Sequence, residues 1–130
     1  MTDIEFPMRI AADVTVSADI IDSLLWDCRP GTNYWNDGIE HPVFVDGQLA
    51  SFEIEVNAED AEDEHGEQIN GRRYTIDGHT WLKGMQRVLD EGEYGFSAGI
   101  PSLNPDDWDF DADDHDVIIQ TALFGKVIYG

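Results

Sequence analysis

The chain has 130 residues, of which 42% are hydrophobic and 11% aromatic, a composition that can form one folded domain with its own apolar core. Its formal net charge is -21, from 28 acidic and 7 basic residues. This charge repels phosphate groups, so it excludes a protein that holds nucleic acid or an anionic membrane through its own Lys and Arg.

Cysteine content and hydropathy indicate a cytoplasmic protein. Cys28 is the only cysteine, so no disulfide can form within the chain. The sequence shows no charged-then-apolar leader and no apolar run of ~18 residues, the length that a membrane-spanning helix needs. We therefore expect a single cytoplasmic domain, residues 1–130, without a membrane segment.

The first part of the chain predicts a strand, a helix and an aromatic loop. Apolar residues alternate over residues 6–16, which is typical of a strand, here bent at its two adjacent alanines. Ser17 is a good N-cap, and apolar residues at helical spacing predict a helix from residue 18 to about residue 28, ended by Pro30-Gly31. Residues 30–38 combine turn formers with two aromatics, which favours a loop folded over the core.

The middle of the chain predicts a β-hairpin followed by a polar loop. Asp46-Gly47 supplies the positive φ angles of a tight turn, and the flanking residues 43–56 alternate between apolar and polar. Glu53 and Glu55 then project from the face opposite the apolar residues, roughly 7 Å apart. Residues 57–68 contain no sizeable apolar side chain and predict a solvated loop.

The last part predicts a strand and two helices. Residues 71–76 read as a strand, and residues 77–91 as a helix closed by Gly92. A final helix begins at a cap supplied by Asp111 or Asp113 and ends at Gly125, with a short strand or packed tail over residues 127–129. The predicted fold class is α+β: a small, mostly antiparallel sheet, formed by the first strand, the hairpin and the strand at Arg72, covered by three helices.

The aromatic residues divide into two groups. Trp26, Trp81 and Phe124 lie on apolar helical faces, so we expect them in the core. Tyr34 and Trp35 in the loop carry no such pattern. Trp108 lies between two aspartates and either packs down or anchors a partner, and we favour packing.

No motif of catalysis or of a cofactor site is present. The four histidines are scattered, and the sequence contains no His-x-x-x-His, Cys-x-x-Cys, Gly-x-Ser-x-Gly or phosphate-binding glycine loop. Cys28 next to Arg29 resembles an activated thiol, but a lone cysteine at a helix end is more typical of a structural role. We expect no enzyme activity and no cofactor.

Aspartates at every second residue from Asp107 resemble the first ligands of a calcium loop. Such a loop needs glycine at its sixth position and glutamate at its twelfth, where this chain has Ala112 and Ile118. The specific loop is therefore rejected and no metal site is assigned. Weak, nonspecific binding of divalent cations by the many carboxylates remains an alternative.

The acidic residues are clustered. Eight lie in residues 53–67 and seven in residues 106–116, with no Lys or Arg in either run. Carboxylates ~6 to 7 Å apart on a strand or a helix can resemble successive phosphates to a basic groove. The residues predicted to contact such a groove are Glu53, Glu55, Glu59, Asp60, Glu62, Asp63, Glu64, Glu67, Asp106, Asp107, Trp108, Asp109, Asp111, Asp113, Asp114 and Asp116.

Two plainer interpretations compete with DNA mimicry. A run of charge is usually a solvated face, and 18 aspartates with only two lysines are also typical of adaptation to high salt. Salt adaptation spreads acids over the whole surface, so the clustering argues against it. The alternative is thus an acidic salt-adapted or cation-binding accessory protein.

Two segments resemble small uncharacterised acidic proteins of phages and other mobile elements: Gly31-Thr32-Asn33-Tyr34-Trp35 after the first helix, and Gln120-Thr121-Ala122-Leu123-Phe124-Gly125 with Tyr129-Gly130. Pro30 stands where the pattern has a glycine. The resemblance implies a phage context, in which small acidic proteins include inhibitors of restriction enzymes and of CRISPR effector complexes. The sequence therefore predicts an inhibitor that covers the DNA-binding surface of a host defence complex and binds no nucleic acid itself.

Overall fold

The computed structural model describes residues 4–8, 12–32, 34–57, 59, 61–102 and 104–129. In chain order the elements are β1 (Ile4–Met8), β2 (Ala12–Val16), α1 (Ala18–Thr32), β3 (Glu40–Val45), β4 (Gln48–Glu55), β5 (Arg73–Asp77), α2 (Gly78–Glu91), a short 3₁₀ turn (Pro105–Asp107) and α3 (Ala112–Phe124). Strands β3, β4 and β5 form an antiparallel sheet with β4 in the middle, β1 and β2 form a separate two-stranded sheet, and helix α3 contacts both α1 and α2. The predicted α+β class is confirmed.

The prediction of one bent first strand is wrong. The segment is a hairpin whose strands pair from Ile4 opposite Val16 to Met8 opposite Ala12, outside the main sheet. A period of two residues sorts side chains to alternate faces but does not show whether the chain continues or turns back. The alternation therefore predicted strand structure correctly and its connectivity wrongly. Ala11, where the bend was predicted, lies outside the described residues.

Helix α1 continues four residues beyond the predicted end. Proline in a last turn removes only one N–H donor from the helical ladder. The Thr32 hydroxyl donates to the Cys28 carbonyl oxygen at 3.0 Å and supplies a bond to that turn. Pro30 therefore does not end the helix.

The hairpin of β3 and β4 is confirmed. Asp46 and Gly47 form its turn with φ angles of 52° and 78°. Strand β4 packs against α1, and its residues Leu49, Phe52 and Ile54 are buried, while every residue of β3 after Glu40 is exposed. The core therefore lies on one side of β4 and does not extend under β3.

Helix α2 has the predicted boundaries. The Asp77 carboxylate accepts the Thr80 N–H at 2.9 Å as the N-cap, and Gly92 ends the helix in a left-handed conformation. Gly84 lies against α3 so closely that an added Cβ would stand 2.4 Å from the Ile118 carbonyl oxygen. Helices α2 and α3 therefore pack backbone to backbone at this position.

Two of the three predicted core aromatics are buried. Trp81 and Phe124 have exposed fractions of 1% or less. Trp26 is 40% exposed and contacts Phe44 at a ring distance of 6.3 Å, so its predicted place in the core is wrong. None of the described helices is long and apolar enough to cross a membrane.

Candidate acidic interaction surface

Helix α3 begins with a reciprocal cap. The Asp111 carboxylate accepts the Asp114 N–H at 2.8 Å, and the Asp114 carboxylate accepts the Asp111 N–H at 3.0 Å. Asp114 also accepts the Tyr94 hydroxyl at 2.8 Å and the Ser97 hydroxyl at 2.9 Å. Burial acts to raise the pKa of Asp114, but these hydrogen bonds outweigh it and lower the pKa below its ordinary value.

Asp116 is the centre of a second buried network. Its carboxylate accepts the Tyr34 hydroxyl at 2.5 Å, the Trp35 indole N–H at 2.8 Å and the Gln120 amide at 2.9 Å. The Gln120 side-chain oxygen in turn accepts the backbone N–H groups of Ile128 and Tyr129, both at 2.8 Å. The network therefore joins the loop after α1 to α3 and to the end of the chain, which is a packed tail.

This network joins two segments that lie far apart in the sequence. Tyr34 and Trp35 belong to the loop after α1, and Gln120 and Tyr129 belong to α3 and the tail that follows it. The Trp35 and Tyr129 rings also stack at 5.8 Å. The two segments therefore form one structural contact, of which Asn33 lies outside the described residues.

The expectation that Asp114 and Asp116 contact a partner is corrected by their burial. Their exposed fractions are 0% and 8%, and each carboxylate already accepts at least three hydrogen bonds from within the protein. Asp114 also lies in the first turn of α3, where the helix dipole and the free N–H groups favour a carboxylate. These two acids therefore fold the protein and are not available to a basic groove.

The rest of the second acidic run is on the surface, and we call it the acidic face. None of the recorded ion pairs among the described residues involves it. Its members are the exposed or half-exposed residues Asp106, Asp107, Asp109, Asp111 and Asp113.

Trp108 holds the acidic face against the fold. Its ring stacks on buried Trp81 at 6.0 Å, and its indole N–H donates to the Ser102 carbonyl oxygen at 2.9 Å. The packing predicted for this residue is confirmed. Because Trp108 is half-buried and its N–H is already bonded, only part of its side chain is open to a partner.

In the part of the chain that the structure describes, four of the eight acids of the first acidic run are paired with arginines. Glu64 pairs with Arg87 at 2.5 Å, and Arg73 lies 3.7 Å from Glu55. Arg72 lies 3.8 Å from Asp63 and 3.7 Å from the Glu67 carboxylate. These ion pairs are mostly exposed and contribute little to the free energy of unfolding. They do reduce the negative electrostatic potential that a basic partner would meet.

Asp63 is the most internal member of the first run. It is 9% exposed, and its carboxylate accepts the backbone N–H groups of His65 at 2.8 Å and of Glu67 at 3.0 Å. It therefore shapes the loop and is not available to a partner. Glu53, Glu59 and Glu62 have no arginine partner among the described ion pairs, and Asp60 lies outside the described residues.

The acidic face and the Glu64 end of the first run lie at opposite ends of α3. The Glu64 N–H donates to the Phe124 carbonyl oxygen at 2.9 Å, which fixes this part of the first run at the C-terminal end of the helix. The acidic face lies at the N-terminal end, and the 13-residue helix spans about 18 Å between its end Cα atoms. One short basic patch therefore contacts one run or the other.

Two residues outside the acidic runs influence residues of α3, and neither was among the predicted contact residues. Asp27 on α1 is exposed and acts electrostatically on the imidazole of His115, as Asp111 does. Tyr34 is 54% exposed, donates its hydroxyl to Asp116 and is affected by the charge of Asp113. The packing of α1 and of the loop after it on α3 brings these residues near the helix, which the sequence does not show.

Three features of the described residues concern metal binding and titratable side chains. They contain no group of three or more His, Cys, Asp or Glu side chains placed to hold a metal ion. Burial raises the pKa of the Cys28 thiol to about 12, so it is not a thiolate near neutral pH. His115 is buried, its pKa is lowered by burial, and its Nδ1 accepts the Trp81 indole N–H at 3.1 Å.

Comparison of the chain with protein-family models, with curated proteins and with solved structures gave no significant match. The charge and the position of the acidic face are therefore the basis of the proposed function.

Proposed function

We propose that the protein is a stoichiometric counter-defence inhibitor that covers the DNA-binding surface of a host restriction enzyme or CRISPR effector complex. The observation that carries this proposal is the acidic face: five surface carboxylates, uncompensated among the described ion pairs, on a segment fixed by the Trp108 stack and the Asp111 cap. The resemblance to phage proteins supports the context.

The spacing of the acidic face supports mimicry of phosphates. Trp108 has an extended backbone, and two residues of extended chain span ~7 Å, about the rise of two phosphates along one DNA strand. A fixed segment presents these charges without the entropy cost of ordering a tail. Electrostatic attraction between the acidic face and a basic groove extends over the Debye length, ~10 Å at 0.1 M salt. Association should therefore be fast and should slow as the ionic strength rises.

The burial of Asp114 and Asp116 and the arginine pairs of the first run narrow the proposal to one end of α3. The acidic face forms the proposed contact. Glu53, Glu59 and Glu62 stay as predicted secondary contacts on a separate surface.

The test is a plating assay with phage on a bacterial strain that carries a restriction or CRISPR system and expresses the protein. A variant with Asp106, Asp107, Asp109 and Asp113 changed to Asn keeps the Asp111 cap. We expect wild type to raise plating and this variant to lose most of that effect. A matched variant with four other exposed acids changed to amides, at Asp37, Asp90, Glu91 and Glu93, loses the same charge and keeps the effect.

Equal loss in both variants would mean that total charge matters and not the acidic face. A folded quadruple variant that inhibits as well as wild type would refute the proposal.

A further inference from the structure

The edge strand β3 and the neighbouring Trp26 form an exposed apolar patch at the hairpin end of the sheet. Its side chains are Trp26, Val43, Phe44 and Val45, of which Phe44 and Val45 project to opposite faces of the strand. Trp26 is 40% exposed and Phe44 52%, and their rings are in contact at 6.3 Å. Val43 and Val45 are 50% and 38% exposed on the same strand. Single exposed apolar residues are ordinary on a protein surface, but four together are typical of an interaction site.

The backbone of β3 is also open on one side. In the strand order β3-β4-β5, strand β3 is at the edge, and no described segment pairs with its outer side. Pro42 lacks an N–H, and the register is interrupted on both sides of Val43, two features that protect edge strands from indefinite pairing. The stretch left for pairing with an added strand is Val43–Val45, long enough for a short contact.

Carboxylates surround this patch. Asp22 and Asp19 precede Trp26 by one and two turns of α1, and they bind the start of β4 through the Leu49 N–H at 2.6 Å and through the Gln48 amide. Asp27 follows Trp26 directly and is exposed. Arg29 is the basic exception on this side of α1. The patch therefore favours a partner that combines apolar and basic side chains.

A second copy of the chain fits poorly. The four side chains expose on the order of 300 Å², so two copies would bury roughly 600 Å², about half of the 1,200 Å² at which stable interfaces begin. Each copy would also bring its own charge of -21 and the same three aspartates. A short basic strand instead gains main-chain hydrogen bonds and loses this repulsion.

We propose that the outer edge of β3 with Trp26 and Phe44 is a docking site for an extended segment of a partner protein, in which apolar residues alternate with Lys or Arg. The segment adds as a strand beside Val43–Val45. On one face of this strand a single apolar residue packs on the Trp26 and Phe44 rings, and basic residues on the same face reach the α1 carboxylates of Asp19, Asp22 and Asp27. The other face of the strand is apolar. This site is separate from the acidic face and does not require that the partner bind DNA.

The test is NMR titration of the ¹⁵N-labelled protein with a synthetic nonapeptide of alternating Lys and Val with one central Phe. We expect amide shifts concentrated at residues 43–46 and in the middle of α1. The double variant Trp26→Ser, Phe44→Ser should weaken this binding at least tenfold. Ile100→Ser removes another exposed apolar side chain, 72% exposed, outside the patch and should leave binding unchanged.

Three results would overturn the proposal: shifts confined to residues 106–113, equal binding of a Lys/Ser peptide without apolar residues, or no binding at millimolar peptide. A concentration-dependent dimer in sedimentation that Phe44→Ser dissociates would assign the patch to a second copy instead. Because the readout is local to β3, failure here leaves the plating result on the acidic face unaffected.

Discussion

The Asp116 network offers the sharpest test of why part of the acidic run is structural. Replacing Asp116 with Ala removes the acceptor of Trp35, whose indole N–H is then buried without a partner, because Trp35 is only 1% exposed. An orphaned buried donor costs about 1–3 kcal/mol, and the bonds from Tyr34 and Gln120 add smaller terms, since Tyr34 can turn to water and Gln120 keeps the Tyr129 carbonyl. We expect a loss of about 3 kcal/mol in the free energy of unfolding.

The assay is urea unfolding followed by tryptophan fluorescence, together with a thermal melt. At this chain length about 3 kcal/mol corresponds to a fall of roughly 10 °C in Tm. Asp113→Ala is the matched control, because Asp113 is exposed in the first turn of the same helix and contributes less than about 1 kcal/mol through the helix dipole. If Asp116→Ala costs no more than Asp113→Ala, the network does not hold the fold and our separation of buried from surface acids fails.

Three further substitutions or conditions test other parts of the structure. Gly84→Ala usually stabilises a helix interior, but here the added methyl meets the Ile118 carbonyl oxygen, so we expect a loss of about 1–3 kcal/mol in urea unfolding. Burial lowers the pKa of His115 in the folded protein, so as the pH falls below about 6.5 the imidazole is protonated in the unfolded chain before it is protonated in the folded one. Protonation of the unfolded chain reduces the free energy of unfolding, and we expect the urea midpoint to drop between pH 7 and pH 5.5. Cys28, with its pKa raised to about 12, should resist iodoacetamide at pH 8 in the native protein and react in urea.

Two control variants test whether the effects expected for Gly84→Ala and for the pH change have the proposed causes. Gly95→Ala places a Cβ where no other atom lies within 4 Å and should not show the loss expected at position 84. His115→Gln keeps an acceptor for the Trp81 indole and removes the titrating group, so it should flatten the stability change between pH 7 and pH 5.5. A steep change that persists in this variant would assign the pH dependence to the carboxylates.

Local signals predicted the elements whose ends are fixed by short-range chemistry. The Asp46-Gly47 turn, the Asp77 and Gly92 ends of α2 and the Gly125 end of α3 each depend on neighbouring backbone groups. The residues that form these turns and caps are close together in the sequence, so a short sequence pattern is enough to predict them.

The elements that were predicted wrongly depend on distant parts of the chain. Trp26 has the helical spacing of a core residue, but α3 packs on another side of α1 and leaves Trp26 beside Phe44. The first strand folds back on itself because its second half finds a partner within the same segment.

For the candidate site, the sequence predicted only which segments are rich in acidic residues. The sequence shows where acids are numerous, but not that Asp116 meets Trp35 across 81 positions or that Arg87 reaches Glu64 across 23. These contacts divide the acids into structural, compensated and free groups. The division decides which carboxylates can meet a partner, and it requires the fold.

The most direct test of the proposed function is a pull-down with tagged protein from a lysate of the bacterial host, repeated with excess duplex DNA. We expect a nucleic-acid-binding defence complex to be retained, to be released by DNA or by high salt, and to be lost when Asp106, Asp107, Asp109 and Asp113 are changed to Asn. A specific partner that stays bound in the presence of DNA and ignores these four substitutions would contradict mimicry by the acidic face.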